Sequence, residues 1–189
     1  MVIRINSRNW HILEMQKDGV ITDVYPLKGN EGALGVNLFQ SDANAPLLEK
    51  IKRSGETVLH GPIKLFQLEE NGLVARMPVH LEHKDHPATF WGFVTAIIRF
   101  EKFIEITGLT NLPRKGYHYE LRRGETFTSE NEIIARSFEF PLDNTMTKAI
   151  PVPGGDWILQ VYPISGWHDS NLLLLCGFVT LVFSGLATA

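Results

Sequence analysis

The stretch Gly72-Leu-Val-Ala-Arg-Met-Pro-Val-His-Leu81 places apolar side chains on both sides of a single arginine. Alternate residues of a strand point to opposite faces, so apolar residues at successive positions are typical of a strand buried on both faces. Arg76 is the exception in this pattern. Because a guanidinium group keeps its proton, a buried arginine requires an anion or several carbonyl acceptors. The stretch therefore predicts a central strand and raises the question of what Arg76 contacts.

Three interpretations of Arg76 follow from its position alone. It could form a structural pair with an acid such as Glu31 or Asp42, or it could extend along apolar surface to solvent. It could instead lie at the bottom of a pocket between sheet and loops and bind a ligand carboxylate. Such a contact is worth roughly 1.5–3 kcal/mol.

The first half of the chain predicts an antiparallel sheet with a helix packed on it. Apolar residues alternate in 10–15 and 20–25, and Asp18-Gly19 between these runs predicts a hairpin. Ser41 or Asp42 can cap a helix that runs to Arg53 and is closed by Gly55. Further strands are predicted at 57–66, 73–81 and 89–100, which gives an α+β fold.

The second half predicts a smaller, β-rich subdomain. A short amphipathic helix from Phe100 ends at Gly108, and 111–116 forms a boundary. Strands are predicted at 117–121, 133–140 and 157–161. About 50 residues are too few for an independent core, so this part should pack against the first.

Composition excludes several classes of function. A net charge of −3 over 189 residues provides no basic field for a nucleic-acid backbone. One cysteine, Cys176, allows neither an internal disulfide nor a cysteine-based metal site.

The C-terminal segment, 172–189, carries no charged side chain. About ten Leu, Val and Phe residues contribute roughly −0.3 to −0.6 kcal/mol each to membrane insertion. This predicts a transmembrane helix at 171–189, truncated at the chain end, and not a buried core helix, which would have a polar stripe. We expect the chain to be a fragment of a longer membrane protein.

No motif predicts an enzyme, a metal site or a cofactor. His80, His83 and His86 lie close together, but in a polar loop between two predicted strands, which favours a solvated hairpin over a metal site. The glycines of 29–35 lack the Lys-Ser/Thr of a phosphate loop. A Gly-x-Ser-x-Gly nucleophile motif is missing from the sequence.

Several short motifs, taken together and in order, resemble the CHASE domain. This is the extracytoplasmic sensor module of bacterial diguanylate cyclases, phosphodiesterases and histidine kinases, and of plant cytokinin receptors. The resemblance covers nearly the entire chain before its apolar tail. The motifs lie at 24–35, 55–65, 72–79, 90–103, 151–157 and 163–167.

The resemblance implies a membrane-distal PAS-like ligand-binding subdomain at 1–109 and a membrane-proximal subdomain at 110–168, followed by the membrane helix. It places residues 1–168 on the periplasmic side of a bacterial inner membrane, with a homodimer in the full-length receptor. The cytoplasmic output would be a diguanylate cyclase, a phosphodiesterase or a histidine kinase. The N-terminal membrane helix and stalk of family members are missing from this sequence.

The resemblance also implies the site residues. The strand register of cytokinin-type members places His60, Phe66 and Arg76 in the ligand pocket, and Phe66, Tyr25 and Phe93 are candidates for its apolar wall. Those receptors have a small polar side chain where this chain has Arg76, which disfavours a purine hormone and favours an anionic small molecule. The alternative is a membrane-tethered periplasmic protein-interaction module whose pocket is filled by its own side chains.

Overall fold

A computed structural model describes residues 12–64, 71–126, 132–139 and 145–167 of the chain. Two α-helices and nine strands lie within these ranges, and two antiparallel sheets make the fold α+β. The helices are α1 (Ala45–Ser54) and α2 (Phe100–Thr107). The strands are β1 (Ile12–Lys17), β2 (Val20–Tyr25), β3 (Val58–Lys64), β4 (Asn71–Leu81), β5 (Thr89–Arg99), β6 (Tyr117–Thr126), β7 (Ile133–Arg136), β8 (Met146–Val152) and β9 (Gly155–Pro163).

The first sheet has five strands in the order β2-β1-β5-β4-β3, with every neighbouring pair antiparallel. The predicted hairpin is confirmed. Its turn has positive φ at both Asp18 (50°) and Gly19 (82°), the type I′ geometry that Asp-Gly favours. Strand β1 thereby lies between its hairpin partner and β5.

The predicted burial of β4 on both faces is confirmed. Leu73 is fully buried and packs in a cluster with residues of the second sheet, whereas the adjacent Val74 is buried in a separate cluster of the first sheet. Arg76 lies two residues after Val74 and so shares its face.

Helix α1 begins later than predicted. Its N-cap is Asn44, not Ser41 or Asp42, and residues 42–44 form a turn. The reason is Pro46, which has no N–H to donate to a preceding carbonyl, so the helix becomes regular only with the Leu48 N–H to Asn44 carbonyl bond (3.0 Å). Its end is as predicted, with Gly55 in the left-handed conformation at φ 71°.

The second sheet has the order β7-β6-β9-β8. Strand β8 was not predicted, because six of its seven residues are exposed and it has no buried apolar stripe. The predicted strand at 133–140 is wrong in length, since β7 ends at Arg136. Helix α2 and two 3-10 turns, Leu109–Asn111 and Pro113–Lys115, connect the two sheets.

Strand β3 joins the first sheet to the second. The N–H of Leu59 donates to the carbonyl of Pro153 at 2.8 Å. The Nη2 of Arg123, a side chain only 2% exposed, donates to the carbonyl of Gly61. Strand β3 therefore makes two polar contacts with the second sheet and its β8–β9 turn.

The residues that the structure describes contain no helix with the length and apolar character needed to cross a membrane. The membrane helix predicted at 171–189 lies outside the described residues, as do residues 1–11.

Candidate ligand site on the first sheet

A row of polar side chains crosses the centre of the first sheet. Glu14 of β1 pairs with Thr95 of β5, and Thr95 pairs with Arg76 of β4. Directly paired residues point to the same face of a sheet. Gln16, two residues after Glu14, shares that face as well. We call these four residues the polar row.

All four residues of the polar row are buried. Gln16 and Thr95 are 0% exposed, Glu14 is 4% exposed and Arg76 is 5% exposed. Their neighbours in the register are apolar: Ile12, Ile97 and Val74 on one side, and Phe93 on the other. The polar row is therefore flanked by apolar residues along these strands.

Two apolar clusters flank the polar row. In one, Ala33 of a 3-10 turn packs with residues of the first sheet that include Ile12, Val74 and Ile97. In the other, Leu48 and Ile51 of α1 pack on Val58 and Phe93. The helix and the turn thus help to cover the same face of the sheet, and the polar row lies in a medium of low polarity.

Several polar atoms of the row have no hydrogen-bond partner among the described residues. They are Nε and Nη1 of Arg76, Oε1 of Gln16 and Oγ1 of Thr95. Each buried polar group without a partner costs about 1–3 kcal/mol, and more when it is charged. Such groups in a native fold indicate a missing partner, either ordered water or a ligand.

Glu14 and Arg76 influence each other electrostatically. Burial raises the pKa of Glu14, while a 2.7 Å hydrogen bond from Gln16 Nε2 and the charge of Arg76 oppose that rise. Burial lowers the pKa of Arg76 to about 10, against the attraction of Glu14. Arg76 therefore stays cationic at neutral pH.

His60 of β3 lies beside the polar row and is 8% exposed. Burial and the positive charge of Arg76 lower its pKa from 6.5 to about 4, with a smaller effect from Arg123. A hydrogen bond with the backbone of Val74 acts in the opposite direction. At neutral pH the imidazole is therefore uncharged.

The structure brings together three of the five predicted site residues. Arg76, His60 and Phe93 lie on the same face of the sheet. Tyr25 is not brought to this group: it pairs with Leu13, which faces away from Glu14, and its side chain is 73% exposed. Phe66 lies outside the described residues.

The acid near Arg76 is Glu14, and the two acids considered from the sequence were wrong. The carboxylate of Glu31 accepts a hydrogen bond from the Gly29 N–H at 2.9 Å, and Asp42 is exposed. Sequence reasoning missed Glu14, Gln16 and Thr95. A signal was present, because Glu14 and Gln16 follow the buried Ile12 at intervals of two residues and so share its face.

The histidine-containing loop at 82–88 is exposed throughout, as predicted for a solvated hairpin. His83 Nε2 lies 2.9 Å from the hydroxyl of Thr89. Among the described residues, no group of three or more His, Cys, Asp or Glu side chains could hold a metal ion.

Comparison with known families identifies the family of this chain. The family model for the CHASE domain matches residues 5–131, which is more than half of the chain and includes the whole polar row. The chain therefore belongs to the CHASE domain family, a family of extracytoplasmic sensory domains. No curated protein matches the chain in sequence.

A solved structure shares the fold. It is the ligand-binding domain of the amino acid chemoreceptor PctC of Pseudomonas aeruginosa PAO1, in complex with GABA. The TM-score is 0.51 at 14% sequence identity, and the match covers 82% of this chain and 74% of that one. At 14% sequence identity this likeness shows a shared fold alone.

Proposed function

We propose that this chain is the extracytoplasmic input domain of a bacterial transmembrane receptor and that it binds a small carboxylate-containing ligand through Arg76. The observation that carries the proposal is the pair of free donors on Arg76, Nε and Nη1, in a buried position. Each of these nitrogens can donate a charge-assisted hydrogen bond to a carboxylate oxygen, the shorter and stronger class of hydrogen bond. The sensory character of the family favours a domain without catalytic activity.

The wider architecture is part of the proposal. Residues 1–109 form a membrane-distal PAS-like subdomain and 110–168 a membrane-proximal one, with a transmembrane helix at 171–189. The domain then lies on the periplasmic side of the inner membrane, as a homodimer in the full receptor. Inside the cell it controls a diguanylate cyclase, a phosphodiesterase or a histidine kinase.

Signal transfer requires that the ligand bind one packing of the two subdomains more tightly than the other. The contacts of β3 support a route. His60 lies beside Arg76, and the next residue, Gly61, accepts the hydrogen bond from Arg123 of the second sheet. A shift of β3 would pass to β6 and its neighbour β9, which runs towards the C-terminal segment.

The alternative is a membrane-tethered protein-interaction module with no small-molecule ligand. One observation favours it: Glu14 already compensates part of the charge of Arg76. In that case the free atoms of the polar row are satisfied by ordered water alone.

A thermal-shift screen of the full chain in non-ionic detergent separates the two functions. The probes are small carboxylates, namely acetate, butyrate, succinate and GABA, together with glycine and the protein amino acids. A probe at 100 times its Kd stabilises the folded state by about 2.7 kcal/mol, which raises Tm by roughly 5–10 °C for a chain of this size.

Two variants complete the screen. Arg76→Met should abolish the shift, whereas Arg136→Met should keep it, because Arg136 is an exposed arginine paired with Glu139. A hit that Arg76→Met leaves unchanged would exclude the proposed contact. A screen without hits would favour the protein-interaction module.

A further inference from the structure

The polar row offers donors at one end and acceptors at the other. The free groups on β4 are Nε and Nη1 of Arg76, which only donate. The groups on β1 are the carboxylate of Glu14 and the free Oε1 of Gln16, which accept. The hydroxyl of Thr95, which can do both, lies between them in the register.

The charges of the row sum to zero when Glu14 is ionised. Arg76 contributes one positive charge and Glu14 one negative charge, while His60 is neutral at pH 7. A ligand with only a carboxylate would leave one net negative charge in a buried site, or would have to take up a proton with it. A ligand that is itself neutral overall would leave the sum unchanged.

The free acceptor on Gln16 adds an independent argument. Its Oε1 is fully buried and needs a donor, which a deprotonated carboxylic acid cannot supply. An ammonium group has three donors, enough for Gln16 Oε1 and the Glu14 carboxylate together.

We propose that the site takes a small zwitterion, with its carboxylate on Arg76 and its ammonium group on Glu14 and Gln16. This inference rests on the proposed ligand-binding function. The backbones of Glu14 and Arg76 are two strand spacings apart, about 9–10 Å. Their side chains share one face, so a compact amine-carboxylate compound is the class whose two charges match the two charged ends of the row.

Calorimetric titration of the full chain with matched sets of probes tests this inference. Each set contains a zwitterion, its deaminated acid and its decarboxylated amine: glycine with acetate and methylamine, β-alanine with propionate and ethylamine, GABA with butyrate and propylamine. The protein amino acids extend the zwitterion series. We expect a zwitterion to bind at least roughly 100-fold more tightly than its own acid and its own amine, since each leaves buried groups unpaired.

A conservative variant assigns the ammonium contact. Glu14→Gln keeps the size of the side chain but removes its charge, so it should weaken the zwitterion and reduce its advantage over the acid at least tenfold. Glu105→Gln is the matched control, because Glu105 forms an exposed pair with Lys102 and should not affect binding. Melting curves establish that each variant is folded.

The outcomes separate this inference from the proposed function. An acid that binds as tightly as its zwitterion and takes up about one proton would overturn the zwitterion assignment but leave Arg76 as the carboxylate site. A zwitterion whose binding is the same in Glu14→Gln would also overturn it, as would a series in which no zwitterion binds. Binding that is unchanged in Arg76→Met would overturn the proposed function as well.

Discussion

Glu14 and Arg76 lie on one face of the first sheet, in a single cross-strand row with Thr95 between them. Each lowers the electrostatic cost of burying the other. The two charges compensate each other in part, while two nitrogens of Arg76 have no hydrogen-bond partner in the described structure. Buried donors without a partner lower the stability of the fold. We therefore expect such donors at a site that binds a ligand.

Removal of both charges should stabilise the protein. Buried ion pairs replaced by apolar or neutral groups of similar size often gain about 1–4 kcal/mol. We expect Glu14→Gln with Arg76→Met to raise the free energy of unfolding in urea by such an amount, and to abolish ligand binding. The exposed pair serves as control: Glu139→Gln with Arg136→Met should change stability by less than about 1 kcal/mol. A double variant less stable than the wild type would show that the polar row is structural.

Acidification should destabilise the protein through His60. Its pKa is about 4 in the folded chain and 6.5 as an ordinary histidine. Between these values the unfolded chain binds a proton that the native chain does not, so stability is complete above pH 6.5 and falls towards pH 4, by roughly 3 kcal/mol. Urea unfolding of the wild type and His60→Phe from pH 4 to 7.5 measures the difference.

The comparison isolates His60 from Glu14, whose effect has the opposite sign. The raised pKa of Glu14 means that its contribution is complete below pH 4.5 and is lost as pH rises. This effect is present in both proteins and cancels in their difference. His80→Phe, which replaces an exposed histidine of β4, is the control. Equal slopes for the wild type and His60→Phe would contradict the assignment.

Sequence reasoning succeeded where structure is determined locally. The Asp18-Gly19 turn defines its hairpin through two positive φ angles, and Gly108 ends α2 in the left-handed conformation at φ 75°, as predicted. In both cases a few adjacent residues suffice, because turn and cap chemistry depend on the backbone preferences of those residues.

Sequence reasoning failed where the neighbours of a residue depend on the order of the strands in the sheet. The periodicity of β1 places Glu14 on a buried face, but only the arrangement of β1 beside β5 and β5 beside β4 aligns Glu14 with Arg76. β4 and β5 are consecutive in the chain, but β1 is distant from both in sequence, so no local pattern identifies Glu14 as the partner of Arg76. Strand β8 was missed for a related reason. Its backbone pairing with β9 holds it in the sheet, and it has no apolar stripe that a sequence pattern could reveal.

Arg123 should contribute to stability by joining the two sheets. Its Nη2 donates to the carbonyl of Gly61, and its Nε contacts Glu132 at 3.2 Å. Arg123→Met would leave the Gly61 carbonyl without this donor, so we expect a loss of about 2–3 kcal/mol in urea unfolding. Arg136→Met should lose less than about 1 kcal/mol, as its pair is exposed. A loss in Arg123→Met no larger than that control would contradict the proposed join.

Gly92 should be intolerant of any side chain. It lies in β5 opposite Lys17 with φ 154°, and a Cβ atom there would overlap the carbonyl oxygen of Gln16. Gly92→Ala must therefore displace β1 and the polar row with it, at a cost of about 3 kcal/mol or more. Gly32→Ala, where a Cβ would meet nothing within 4 Å, should stay within about 0.5 kcal/mol. Thermal or urea unfolding of both variants measures this, and equal stabilities would contradict the close approach of β5 and β1.

The central claim is that the N–H groups of Arg76 bind the ligand carboxylate. The most direct measurement is the ¹H–¹⁵N NMR signal of the Arg76 Nε–H group, assigned by its loss in Arg76→Lys and followed as the strongest hit is added. The account predicts a downfield shift of this signal at saturation, with the Nε–H signal of Arg136 unmoved. A ligand that saturates the protein and leaves the Arg76 signal in place would contradict it.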